Sequence, residues 1–545
     1  MSDVAAIGAP TPAAPAPASP QPMPAWNAAL YMLSSVALFV TQGLGMNLAL
    51  ANLTQLQGTL AATSAESAWL SAAYMAPSAS LAVLLVKIRT QYGLRNFAEV
   101  SIIFFAIASV MNVFVSDLQS ALVVRFLSGI AAAPLSTLGF LYMLEVFEPA
   151  RKMTIGISLA LMNTTLSAPL SRLVSPTLLD FGQWHGLYML ELALALMVFP
   201  IIYLLPLTPV PRAKVITVTD IGSYMLIALG FGALAVVLSL GRVYWWFEAP
   251  WLGWLLAVSI ASLSLAAAIE LRRDNPLIDI RWLASRGLVH FTGVLLVFRL
   301  IASAQSSVPS LWQQTLNLQY DQTMTLYAII LGASIFGGVT CAALMKNGFD
   351  SSIHVVALAM MAAGCFLDSS ITNLTRPEQL YLGQGLIALG AALFLPPAMA
   401  SGFKAALARG PNYFVSFIVV FLFTQSIGGL MGSAFYGSLV TLREKFHSNM
   451  LAEHVVMSDP LVAQRVAQLS GAYGKVIGDA ALLKSEGISL LAQQISRESY
   501  MLAYGDAFLA GGVLASLALA ALLVHLSLQA LHRRFAAPQA ASTAS

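Results

Sequence analysis

The stretch Val123 to Leu144 reads VVRFLSGIAAAPLSTLGFLYML and puts one permanent charge, Arg125, into a segment otherwise fit for lipid. A guanidinium keeps its proton in proteins, and at the centre of a bilayer it costs at least about 2.5–3.5 kcal/mol. Arg125 must therefore face a polar interior or a partner, or lie near the outer membrane face and snorkel to water. Gly129 follows four residues on, on the same helical face, then Ala131, Ala132, Ala133 and Pro134. Small residues there let a second helix approach closely, and the proline is tolerated only where neighbouring helices or water satisfy the freed backbone group. The segment reads as a cavity-lining helix of a membrane transporter.

Working outward, 58% of the 545 residues are hydrophobic and 9% charged, with a mean hydropathy of +0.79. Soluble domains carry about 25% charged residues, so a soluble protein is excluded. Apolar runs near 27–51, 68–86, 97–115, 121–144, 153–175, 187–206, 220–240, 251–269, 288–310, 324–345, 353–371, 379–403, 413–440 and 502–528 make fourteen spans. They are too long and too unalternating for a barrel. The fold class expected is an all-α polytopic membrane protein. A net charge of +3, spread over short loops, gives no argument for nucleic acid.

Residues 1–25 form a Pro/Ala-rich tail without a basic n-region and read as disordered. The first Lys or Arg in the chain is Lys87. From there alternate loops carry the positive charge, from Lys87, Arg89 and Arg95 through to Arg533 and Arg534, while the short loops between them hold only Arg242 and Arg376. By the positive-inside rule both termini are cytoplasmic, as an even number of spans also requires. The segment 442–500 mixes apolar and charged residues at helical spacing and is expected to form helices beyond the outer face.

Chemistry-bearing motifs are scarce. There is no Walker-type phosphate loop, no H-E-x-x-H, no G-x-S-x-G, and the two cysteines, Cys341 and Cys365, lie in apolar segments without metal spacing. An enzyme is not expected, nor a metal or organic cofactor. What remains are ionisable residues in lipid, which read by default as transport sites. Arg125, Arg172 and Glu191 fall at one depth in the outer third, counting about 1.5 Å per residue. Glu191 reads either as a proton-coupling acid or as the neutralising partner of an arginine. Arg299, near the midplane, reads as holding an anionic substrate or as pairing with an acid from another span. Asp368 is a further coupling candidate.

Several stretches carry a resemblance. Arg125-x-x-x-Gly129 resembles motif B of the major facilitator superfamily, in which that arginine is tied to proton coupling. Asn47-Leu-Ala-Leu in span 1, Trp69-Leu-Ser-Ala-Ala-Tyr74 in span 2, Gly241-Arg242-x-x-Trp245 and Pro276-Leu-Ile-Asp279-Ile-Arg281 are similar to its fourteen-helix drug:proton antiporter branch, above all the EmrB-type exporters. So are His447 to His454 and Leu502-Ala-Tyr504-Gly-Asp506-Ala-Phe508. The resemblance implies two six-helix bundles around a central cavity: 26–210 for the first, 211–275 for two inserted transmembrane helices, 276–530 for the second (with 442–500 as a periplasmic loop) and 531–545 as a cytoplasmic tail.

The departures bear on mechanism. Gln42 stands where the family carries an acid in span 1. Motif A survives only as Gly93 and Arg95, with Thr90 at the place of its acid. Motif C appears as Ala168-Pro169-Leu-Ser171-Arg172, and Glu191 occupies a position usually held by asparagine. The expected function is an exporter of small amphipathic organic compounds, driven by proton antiport across a bacterial inner membrane. The membrane arginines favour anionic aromatic or other organic acids. Uniport or uptake of an organic anion, and a non-transporting sensor or assembly subunit, are the alternatives. The resemblance implies a periplasmic adaptor and an outer-membrane channel as partners.

Overall fold

A computed structural model describes residues 23–208, 212–274, 276–318, 320–346 and 350–542. Residues 1–22, most of the tail expected to be disordered, lie outside the described residues. Among the described residues there is no strand. Thirteen helices are long and apolar enough to cross a membrane, and Ser64–Leu81 with Val83–Tyr92, set at 53° to each other, makes a fourteenth when taken as one bent span.

In chain order span 1 is Ala25–Ala51, span 2 the bent Ser64–Tyr92, span 3 Leu94–Val113, span 4 Leu118–Glu145, span 5 Lys152–Asp180 and span 6 His185–Leu204. Span 7 (Val218–Leu240) and span 8 (Pro250–Leu271) follow. The second half holds span 9 (Arg286–Leu311), span 10 (Asp321–Met345), span 11 (Asp350–Asp368), span 12 (Pro377–Leu407), span 13 (Ser416–Glu453) and span 14 (Ala480–His532). With fourteen passes the two chain ends share a face, called here the terminal face.

Local sequence sets the starts of these helices. Thr63 with Glu66, Asp117 with Ser120 and Thr217 with Asp220 form capping boxes, each satisfying backbone donors that a helix end leaves open. Gly93, between spans 2 and 3, has φ +85°, and a Cβ there would lie 2.6 Å from Nε of Arg212. Only glycine fits both the backbone and that approach. Span 4 runs unbroken through Pro134.

From span 5 into span 6 the backbone stays helical, Ile157–Leu204, where the sequence suggests two helices and a loop. Straight, its 48 residues would reach about 72 Å, more than twice a hydrocarbon core. The chain instead doubles back. A Cβ on Gly186 would lie 2.4 Å from the carbonyl oxygen of Leu178, whereas eight residues of straight helix separate such groups by about 12 Å.

Spans 1 to 6 pack as one bundle and spans 9 to 14 as another. Span 7 packs on span 2, and span 8 on span 7, its most apolar stretch only 22% buried in protein. Outward faces are apolar, as with Val100, Ile103, Phe104, Ile107 and Val110 of span 3, which stand exposed at helical spacing to lipid. Because lipid is as apolar as these side chains, close contact and polar groups in the seams must hold the helices together. Ser35 donates to the carbonyl of Gly139 at 2.7 Å, and Ser158 on span 5 to that of Gly338 on span 10 at 3.0 Å. Beyond the membrane, span 13 continues to Glu453, a helix covers Pro460–Gly471, and the last helix runs from Ala480 to Ser542.

Candidate functional site

The motif that opened the sequence reading sits where spans 1, 2 and 4 of the first bundle meet. Gly129 lets span 4 meet span 2 so closely that a Cβ would stand 2.2 Å from the carbonyl oxygen of Tyr74. That approach carries the Tyr74 ring to 4.6 Å from the Arg125 guanidinium carbon, a cation–π contact. Arg125 is 2% exposed, so it does not snorkel. Its Nη1 donates to the carbonyl of Gly45 on span 1 at 2.7 Å, and its Nε has no partner among the described residues.

Glu191, also 2% exposed, comes to the same glycine from span 6. A Cβ on Gly45 would lie 3.1 Å from Oε1 of Glu191. Arg125 is the charge that acts on this carboxylate, although no direct ion pair joins them among the described residues. Arg172, placed by sequence at the same depth, turns elsewhere. Its Nη1 donates to the carbonyl of Ala51 at 2.8 Å, and its side chain lines a cavity of about 780 Å³ with Thr54, Asp180, Trp312 and Asp321, between the two halves.

A central cavity of about 500 Å³ lies between the first bundle, span 7 and span 13. Gln42 and Asn47 line it from span 1, with Asn47 donating to the carbonyl of Gly43 at 2.8 Å. Ser71, Ser78, Ser136, Thr164, Ser167 and Ala168 add to that wall. Phe39, Phe140 and Phe421 close it toward the terminal face, with ring centroids 5.2 Å apart for Phe39–Phe140 and 6.1 Å for Phe140–Phe421. No Asp or Glu is among its described lining residues, and Arg242 is the one charged side chain there.

Arg299 lies outside that lining. It crosses span 13 at Gly428, where a Cβ would lie 3.1 Å from its own Cβ and Cγ, and its guanidinium stands 5.5 Å from the Phe298 ring. Its Nη2 has no partner among the described residues. Asp368 closes span 11, fully buried, and accepts from Nε2 of Gln384 on span 12 at 2.7 Å, far from the Arg125 cluster in the other bundle. Pro169 sits within span 5 beside the cavity residue Ala168. Arg95 makes an exposed i,i+4 pair with Glu99 at 2.8 Å.

Two features escaped the sequence reading. The span 13 wall, Gln425, Ser426, Gly429 and Ser433, carries no charge to mark it, though polar and small residues at four-residue steps were visible. The second is an ion network at the terminal face. Asp220 of span 7 accepts from Lys87 of span 2 and from Arg273 just beyond span 8, each at 2.7 Å, and Arg273 also holds Glu270 at 2.7 Å.

The comparisons agree with this architecture. Residues 33–442 match the Major Facilitator Superfamily. The chain is 21% identical to the probable multidrug resistance protein EmrY of Escherichia coli K12, covering 81% of this chain and 86% of that protein. It is 21% identical to the fatty acid resistance protein FarB of Neisseria gonorrhoeae, covering 84% and 88%. The multidrug export protein EmrB of E. coli K12 is 22% identical over 75% and 78%. Among solved structures, the human organic anion transporter MFSD10 aligns with a TM-score of 0.55 at 13% identity, over 90% of this chain and 99% of that one. The proton:xylose symporter XylE gives 0.51 at 12%, over 90% and 95%; both are likenesses of fold. Two six-helix bundles with two inserted spans, a polar cavity between them and a match over most of its length make this chain a member of the major facilitator superfamily, a transporter and not an enzyme.

Proposed function

We propose that the protein exports small amphipathic organic compounds by proton antiport, with the central cavity as the substrate site and Glu191 with Arg125 as the coupling pair. The observation that carries this reading is the meeting of the two charges at Gly45 of span 1, a helix that also lines the cavity. With Glu191 ionised, each charge offsets the other in a low-dielectric setting. Protonation leaves Arg125 with one backbone carbonyl and an aromatic face, a costly state that a shift of spans 1, 4 and 6 relieves. Substrate would thereby gain access to one face of the membrane when the proton gains access to the other.

Export fits a terminal face that is cytoplasmic, as the loop charges suggest, and the relatives named for resistance or export. The helical segments beyond the opposite face offer exposed Phe446, Met450, Leu461 and Val476 as a surface for a periplasmic adaptor. Uniport is the second reading, favoured by the absence of any carboxylate from the described cavity lining, where Gln42 stands instead of an acid.

The test is proton movement in proteoliposomes on adding a panel of anionic and cationic aromatics, with Glu191→Gln beside the parent. Antiport requires substrate-driven proton flux in the parent and none in the variant. Substrate movement in the parent without a proton signal would leave uniport.

A further inference from the structure

The central cavity differs from end to end. Toward the terminal face it is floored by Phe39, Phe140 and Phe421; toward the opposite face its lining reaches Ser433 and Ala434 of span 13 and Ser239, Arg242 and Val243 at the end of span 7. From Phe421 to Ala434 is thirteen residues of helix, about 20 Å. The site is therefore long, floored by aromatic rings at one end and cationic at the other.

Arg242 is held at the cationic end by close packing. A Cβ on Gly437 would lie 2.4 Å from its Cδ and 3.3 Å from its Nη1. Its guanidinium forms no ion pair among the described residues. One turn earlier on span 7, Oγ of Ser239 is buried without a partner among the described residues, and deeper in the cavity so is Oε1 of Gln425. A buried polar atom left unpaired calls for a partner, whether a water or a ligand, and these two line the cavity. A hydroxyl can turn its hydrogen to an acceptor, and an amide can present either its oxygen or its N–H₂. Arginine's planar fork suits a carboxylate, which can take two parallel hydrogen bonds from it.

We infer that Arg242 and Ser239 bind the carboxylate head of an elongated amphipathic anion whose apolar tail runs inward toward Phe140 and Phe421. This rests on the reading of the central cavity as the substrate site and names its substrate class. Lys445, on the helix that continues span 13, stands over the ring of Trp245, three residues after Arg242, at 5.0 Å.

The test uses equilibrium binding to the purified full chain in detergent, with decanoate and decylamine as probes that share a tail and differ in head charge. The parent should bind decanoate more tightly. Arg242→Gln should weaken decanoate by at least about tenfold, or about 1.4 kcal/mol, and leave decylamine unchanged or tighter, while Arg242→Lys recovers part of the loss. Ser239→Ala serves as an independent variant, with a loss of about threefold expected for one neutral hydrogen bond. Decanoate bound equally by parent and Arg242→Gln would overturn the inference and leave export standing. A parent that binds neither probe would remove the central cavity as the substrate site, and this inference with it. Because binding is read without a gradient, failure of proton coupling would not affect it.

Discussion

Replacing Asp220 with asparagine should loosen the attachment of spans 7 and 8 to the first bundle. The carboxylate is fully buried; Oδ1 accepts from Lys87 and Arg273, and Oδ2 from the backbone N–H of Thr217 at 2.9 Å. Asparagine keeps the shape and removes the charge, so two cations lose their common counter-ion. Breaking a buried ion pair costs about 3–5 kcal/mol. Here Lys87 and Arg273 keep 15% and 16% side-chain exposure, and Arg273 keeps Glu270. Water and that second acid reduce the expected loss to about 2–4 kcal/mol. Equilibrium unfolding in mixed micelles measures it, and adding Lys87→Met to Asp220→Asn should recover part, since the uncompensated ammonium is then gone. A loss under about 0.5 kcal/mol, the size of an ordinary surface substitution, would refute the assignment of this network as the hairpin's anchor.

Gly129→Ala should destabilise by about 1–3 kcal/mol through overpacking, because the new methyl meets the carbonyl of Tyr74 at 2.2 Å; it should also reduce transport by moving the Tyr74 ring off Arg125. Phe140→Ala should open the cavity floor, and maleimide labelling of Ser136→Cys from the terminal face should then rise. Both native cysteines are buried, so the background is low; unchanged labelling would mean the aromatic trio is not a barrier.

Hydropathy made the spans legible because lipid-facing helices need no amphipathic period: apolar length alone marks them. Charge made Arg125 and Glu191 legible, since an ion in hydrocarbon needs a reason. Depth counting then placed Arg172 beside them, but depth does not fix rotation about the helix axis, and Arg172 turns to Ala51 instead. The joint between spans 5 and 6 reads as a loop, while the backbone reverses there without leaving helical geometry. The second wall of the cavity was hidden for the opposite reason to Arg125: Gln425 and Ser433 are common in transmembrane seams and raise no alarm alone. The loss of an acid at Thr90 was plain, yet the network at that face draws its acids from spans 7 and 8, which a motif scan of the preceding loop does not reach.

The inserted hairpin touches both halves, but unequally. At the terminal face Asp220 binds it to Lys87, and at the opposite face Trp69 of span 2 donates to the Tyr244 hydroxyl at 3.2 Å and stacks on Trp251 at 5.7 Å. Its hold on span 13 is lighter: Trp246 donates to Oγ of Ser438 at 2.8 Å, the Phe231 ring meets that of Phe423 at 5.1 Å, Arg242 packs against Gly437, and Lys445 sits over Trp245. A rocking of the halves would therefore carry the hairpin as cargo of the first bundle and slide it past the second. Releasing one neutral hydrogen bond, one exposed cation–π contact and one aromatic pair costs about 1.5–4 kcal/mol, so the seam with span 13 is the one built to yield.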